Sequence, residues 1–185
     1  VLAAAGAKVA LCARRADKLE EVAEQIRAAG GEALAIPMDV TDADQLMSAV
    51  AKAEERLGTV TILVNNAGIP DAQRAHKMPV ALIDRVLDTN LRAPYILSCE
   101  VARRLMAAEK PGRIVNISST AHYGYVGNGA ALYAITKTGV ARMTEALSVE
   151  WAKYHINVNA IAPGMFMSEM LEGMFERMGD LSQHV

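Results

Sequence analysis

Aromatic residues make up only 4% of the 185-residue chain, it has two cysteines and six prolines, and neither sign of charge prevails. The cysteines, Cys12 and Cys99, stand alone in apolar segments with no metal-ligand spacing around them. That excludes a disulfide framework or a Cys-based metal centre, and they read as buried thiols of a reducing compartment. Nineteen basic and 21 acidic side chains leave a formal charge of -2, which excludes the basic surface of a nucleic-acid or anionic-membrane binder. No run of 18 apolar residues occurs, and the opening Val1 to Ala7 stretch is broken by Lys8 with no basic leader, so neither a membrane span nor a signal peptide is expected. The reading is a cytoplasmic protein. What the chain does have is aliphatic bulk: 52% hydrophobic and 22% charged residues suit one compact domain with its own core.

Periodicity divides the chain into alternating elements. Lys8 to Ala13 is a short apolar run, and Ala16 to Ala29 places Leu19, Val22, Ala23, Ile26 and Ala29 at helical spacing before Gly30-Gly31 stops it. The pattern repeats: strand Ala33 to Met38, helix Asp42 to Leu57 stopped by Gly58, strand Val60 to Asn65. A long amphipathic helix over Pro79 to Ala108 follows, then strand Arg113 to Ser118, helix Ala131 to Tyr154 and strand Asn157 to Ile161. Near-continuous apolar strands between helices indicate a parallel sheet covered on both faces. The expected fold is therefore α/β: a Rossmann-like, doubly wound parallel sheet in a three-layer α/β/α arrangement. No repeat or linker divides it, so residues 1–185 read as a single domain.

Polar chemistry collects at strand ends. Tyr133 and Lys137 lie four apart on a predicted helix and share a face, which sets an ammonium beside a phenol. A free tyrosine titrates near pH 10, and bringing it towards 7 takes roughly 4 kcal/mol of differential stabilisation, which a nearby cation in a partly dry site supplies. By itself the pair is a weak signal, but it has company. Asn65-Asn66-Ala67-Gly68 ends one strand, Ser118-Ser119-Thr120 another and Pro163-Gly164 the last, at the sheet edge where ligands bind in open α/β folds. Taken singly, these are ordinary turns and hydroxyl caps.

Together the residues resemble the short-chain dehydrogenase/reductases. The matching pieces are Asp39-Val40, Asn65-Asn66-Ala67-Gly68, Asn90 in DTNLRAPY, Ser119, Tyr133-x-x-x-Lys137 and Pro163-Gly164, in the family's order over essentially the whole chain. The resemblance implies a hydride-transferring oxidoreductase acting on a ketone or secondary alcohol, with Tyr133 as acid/base. Lys137 would lower the phenol's pKa and hold ribose hydroxyls, and Ser119 would donate to the substrate oxygen. Asn90 would hold, through its backbone, a water linking Lys137 to solvent. The family spaces its serine thirteen residues before the tyrosine; Ser119 stands fourteen before and Thr120 thirteen. A one-residue loop insertion keeps Ser119 as the expected donor, and His122, Tyr123 and Tyr125 in that loop would border the substrate.

For the cofactor, Asp39 would accept from the adenine amino group beside Val40, and Asn66, Ala67 and Gly68 would let the backbone pass the adenosine ribose. NAD-using relatives commonly place an acid where this chain has Ala13, and here Arg14 and Arg15 follow instead, so NADP(H) is preferred over NAD(H). Arg14 carries more of that weight, because Arg15 also opens a solvated helix. Ser168 would contact the nicotinamide carboxamide alongside Pro163 and Gly164. No metal is expected, and partners are a small carbonyl or alcohol substrate and further copies of the chain in a homotetramer. The methionine-rich segment after Pro163 reads equally as a lid or as core packing.

The resemblance also implies a Gly-rich turn and a first strand upstream of Val1, and a continuation beyond Met178. Without that strand, sheet order 3-2-1-4-5-6-7 leaves a gap of two spacings, about 9 to 10 Å. The expectation is a domain truncated at both ends, and direct pairing of Lys8 to Ala13 with Val60 to Asn65 would refute it. A cofactor-sensing protein without turnover and a nucleotide-sugar epimerase or dehydratase are the competing readings. The intact Asn, Ser, Tyr and Lys set disfavours the first, and the Asn-Asn-Ala-Gly turn the second.

Overall fold

Each apolar run becomes a parallel strand and each helical repeat a crossover. The computed structural model describes residues 1–70, 73–124 and 129–164. Strand β1 (Val9–Ala13) leads into α1 (Ala16–Ala28), β2 (Ala33–Pro37), α2 (Ala43–Leu57) and β3 (Ile62–Asn65). Then come α3 (Val80–Leu87), a π-helical segment (Asp88–Arg92), α4 (Ala93–Ala107), β4 (Gly112–Ile117), α5 (Ala131–Trp151) and β5 (Ile156–Ile161). Local chemistry sets the boundaries. Asp42 caps α2 by accepting from the amides of Asp44 and Gln45 at 2.9 and 3.1 Å, and Gly58 ends the helix at φ 87°.

The strands form two parallel ladders: β1 with β2, and β3-β4-β5. In the first, Val9 to Ala13 pair in register with Ala33 to Pro37; in the second, Asn65 of β3 stands beside Asn116 of β4. No ladder joins β1 to β3, so the pairing that would refute an intervening strand does not occur. Ile62 and Val64 of β3 remain 48% and 41% exposed. Helix packing joins the halves instead. Ile36, Met38, Leu46 and Ala49 of the first half meet Ala93 of α4, while Val101, Leu105, Ile114, Val140, Leu147 and Ile156 form the core of the second. The result is a Rossmann-like α/β fold. Among the described residues no helix is long and apolar enough to cross a membrane.

Two expectations need correction. Cys12, at the exposed end of β1, and Cys99, half-buried on α4, are both free but not core thiols. Cys12 lies on a strand that has β2 on one edge and no ladder partner on the other among the described residues. The long helix predicted from Pro79 to Ala108 is interrupted at Asp88–Arg92, where the Ala93 amide reaches back five residues to the Asp88 carbonyl.

Candidate active site

Helix α5 starts where two loops are pressed together. Gly129 has φ 79°, and a Cβ there would lie 3.0 Å from the Gln73 carbonyl carbon, so only glycine lets the loop before α5 close on the loop after β3. One turn into the helix are Tyr133 and, a further turn on, Lys137, whose Nζ lies 5.6 Å from the centre of the Tyr133 ring. Lys137 is 4% exposed, and its Nζ donates to the Ile117 carbonyl at 2.7 Å. Burial pushes its pKa down to about 8. The fold thus holds a desolvated amine beside a phenol.

Asn90 sits in the π-helical segment and is 1% exposed. Its Oδ1 accepts from the Ile69 amide at 2.8 Å, and its Nδ2 donates to the Ile69 carbonyl at 2.9 Å and to Thr136 Oγ1 at 3.3 Å. Thr136 in turn donates to the Tyr133 carbonyl at 2.8 Å. The side chain of Asn90 therefore ties the loop after β3 to the helix bearing Tyr133 and Lys137.

The two adjacent serines separate in role. Ser118 is 2% exposed and its hydroxyl donates to the Lys137 carbonyl at 2.9 Å. Ser119 is half-buried and caps a short 3₁₀ turn, accepting from the Ala121 amide at 3.2 Å. Because Ser119 Oγ accepts there, its O–H hydrogen remains a donor. Thr120 is fastened by its amide to the Pro163 carbonyl at 3.0 Å. His122 closes the turn, with its ring 3.7 Å from that of Tyr123.

Towards the other end of the strand edge, Asp39 Oδ1 accepts from both the amide and the hydroxyl of Thr41 at 2.9 Å. Those bonds, with smaller help from Arg14 and Arg85, hold its carboxyl below the usual range. Arg14 is exposed directly after β1, and Arg15 is exposed at the start of α1. Val40 packs half-buried against the Leu46 cluster. Asn66 and Ala67 are exposed, and a Cβ on Gly68 would lie 3.6 Å from both Asn90 Oδ1 and Lys137 Nζ, so the chain passes close over these two side chains. Pro163 is half-buried and Gly164 exposed after β5. Ser168, Tyr125 and the methionine-rich segment lie outside the described residues.

Sequence reasoning missed the supporting polar residues. Besides Ser118 and Thr136, a buried chain runs from Asn65 Nδ2 to Asn116 Oδ1 at 2.8 Å and from Asn116 Nδ2 to Thr144 Oγ1 at 2.9 Å. Asn65 also donates to Ser98 Oγ at 3.0 Å, while its Oδ1 has no partner among the described residues. The repeated Val-Asn at the ends of β3 and β4 is the signal that could have revealed the pair. Arg85 had none.

This constellation has close counterparts. The family model described as short chain dehydrogenase matches residues 1–179. A 3-oxoacyl-[acyl-carrier-protein] reductase of Staphylococcus aureus is 36% identical over 164 residues, covering 88% of this chain and 65% of that protein. A crystal structure of a short-chain type dehydrogenase/reductase from Mycobacterium marinum superposes with a TM-score of 0.89 at 33% identity, covering 94% of this chain and 69% of that one. A variant of actinorhodin polyketide ketoreductase, crystallised with NADPH, gives a TM-score of 0.91 at 33% identity, covering 100% of this chain and 70% of that one. The chain thus spans about two thirds of the length of the proteins it matches. Parallel ladders, a Tyr-x-x-x-Lys helix and a likeness that extends over nearly the whole chain have one common source: this chain belongs to the short-chain dehydrogenase/reductase family.

Proposed function

We propose that the protein is an NADP(H)-dependent oxidoreductase that transfers hydride between the nicotinamide and a ketone or secondary alcohol. The observation that carries this reading is the Lys137 amine, sealed to 4% exposure and set 5.6 Å from the Tyr133 ring. A buried cation is expensive, and next to a phenol it has a use that core packing does not require. The donor set suits a dinucleotide: Arg14, Asp39, Asn66 to Gly68 and Ser119 follow four parallel strands at their carboxyl ends. When bound, the nicotinamide supplies or accepts the hydride.

The protein's residues do the remainder. Tyr133 gives its proton to the carbonyl oxygen, or takes it from the alcohol, and charged Lys137 stabilises the phenolate. Ser119 donates to the same oxygen and fixes its place, and Asn90 holds the loop over Lys137 and, by its backbone, a water leading to solvent. Asp39 would accept from the adenine amino group beside Val40, Asn66 to Gly68 would let the chain pass the ribose, and Arg14 with Arg15 would meet the 2'-phosphate that distinguishes NADP from NAD. Pro163 and Gly164 would border the nicotinamide, and the family resemblance assigns its carboxamide to Ser168.

The reading includes a further parallel strand between β1 and β3, whose facing edges have no ladder partner, and a Gly-rich turn on that strand to hold the pyrophosphate. It also includes a homotetramer in a cytoplasmic setting. A groove of about 590 Å³ between the π-helical segment, α4 and α5, with Leu91, Tyr95 and Met143 in its wall, offers the apolar surface for a second copy. Full-length protein assayed for NADPH oxidation with a ketone panel tests the core of the proposal. Tyr133→Phe should lower turnover by roughly 10² to 10⁴ while leaving cofactor binding intact; an unchanged rate would sink it.

A further inference from the structure

We propose that His122 is a positioning residue for Ser119, a role that rests on the reading of Ser119 as the substrate-oxygen donor. The Ser119 carbonyl lies 2.6 Å from His122 Nδ1 and also accepts from the His122 backbone amide at 3.1 Å. A carbonyl has two lone pairs, and one residue occupies both. Since a carbonyl only accepts, Nδ1 must carry the hydrogen, so the ring is fixed as the Nδ1–H form with Nε2 as its other pole.

The same nitrogen lies 3.4 Å from Ser118 Oγ. That hydroxyl spends its own hydrogen on the Lys137 carbonyl at 2.9 Å, so towards His122 it is an acceptor. His122 Nδ1–H therefore stands between the peptide of Ser119 and the serine that anchors the Lys137 helix. Two further ties hold the turn from below: the Ser118 amide to the Ile161 carbonyl at 2.8 Å and the Thr120 amide to Pro163 at 3.0 Å. The backbone bond alone would close a 3₁₀ turn around a residue of any kind. The imidazole adds a second constraint on the Ser119 peptide plane, and that plane sets the direction of Cα–Cβ and hence of Oγ. A loop one residue longer than the family's spacing has need of such a clamp.

The tests separate this role from general support of the loop. Long-range ¹H–¹⁵N NMR of the full-length protein should show His122 protonated on Nδ1; protonation on Nε2 alone in the neutral ring overturns the clamp. With NADPH and ethyl acetoacetate as probe, His122→Ala should lower kcat/KM about tenfold, the order of one lost hydrogen bond. His122→Asn, which keeps a donor near the Nδ1 position, should recover to within about threefold. In a Ser119→Ala background His122→Ala should change the rate less than about twofold, because the group it positions is gone. An additive loss in that background, or equal losses for Ala and Asn, refutes the inference. A Ser119→Ala protein with undiminished activity would instead refute the role of Ser119 itself.

Discussion

The two halves of the molecule carry their functional residues in opposite ways. In the β3-β4-β5 half, Asn90, Ser118, Thr136 and Lys137 are each at most 4% exposed and joined by named hydrogen bonds. In the β1-β2 half, Arg14 and Arg15 are exposed, and Asp39 is only half-buried. On the proposed function, the difference follows from the task each set would perform. Groups that act on developing charge gain from a dry, preorganised setting, whereas groups that recognise a phosphate can wait in water for it. One half is built before any ligand arrives; the other takes its meaning from the ligand.

The largest break in that contrast should come from Lys137→Met. It removes a buried charge and keeps an apolar chain of similar length, so turnover should fall about a thousandfold, the scale of the roughly 4 kcal/mol demanded of the phenol. Stability should move the other way. The Lys137 pKa falls from 10.5 to about 8 on folding. Between those values the unfolded chain holds a proton that the folded form has lost, so this group's contribution rises with pH through that window. Its full cost, up to about 3 kcal/mol, is present below pH 8. Chemical denaturation at pH 7 should find Lys137→Met at least as stable as the parent, less about 1 kcal/mol for the bond to Ile117, and without the parent's rise in stability from pH 8 to 10. A variant that unfolds more readily at every pH would show that the lysine is a structural tie.

A smaller effect, on the other half, should come from Arg14→Ala. Losing an exposed guanidinium should weaken NADPH binding by about ten- to a hundredfold and leave NADH nearly unchanged, with the fold intact. Titration of both cofactors by fluorescence or calorimetry reads this directly. Equal weakening of both would place Arg14 on the shared pyrophosphate; no weakening would shift the selection to Arg15 or Arg85.

Much of this was legible in the sequence because it is local. Apolar runs, helical spacing and Gly stops set most element ends within about two residues of the observed ones, as at Ala43–Leu57 and Gly58, while the last helix stops at Trp151, three residues before the expected Tyr154. The Tyr133 and Lys137 pair follows from helix geometry alone. What was not legible depends on partners distant in sequence. The π turn at Asp88–Arg92 adds one residue to an otherwise helical pattern and is held by Asn90 against Ile69, 21 positions away. The burial of Ser118 is tied to the Lys137 carbonyl, 19 positions away. Cys12 looked like a core thiol because an apolar strand reads the same whether or not a neighbour covers it.

The seam between the halves provides the smallest and sharpest test. No ladder crosses it, so side chains must join α2 to α4. Arg104 does so, donating to Glu54 at 2.7 Å across the seam and to Glu100 at 2.5 Å within α4, while Arg103 adds three bonds of 2.8 to 3.0 Å to the same Glu100. Burial would raise the Glu100 pKa, but the bonds from Arg104 and Arg103 outweigh it and the net direction is down. The ion pairs therefore stabilise the fold at neutral pH and are lost as acid protonates Glu100 below the usual glutamate range. Glu54 and Arg104 are each about three-quarters or more covered, so their coupling should exceed that of a fully solvated pair. A double-mutant cycle of Glu54→Gln and Arg104→Met, followed by urea unfolding, should return about 1 kcal/mol at pH 7. Hydrogen exchange should show the loss first in β1 and β2, because that half has the fewer buried ties. Uniform loosening of both halves would mean that they unfold as one unit and that the contrast between them is confined to the ligand site.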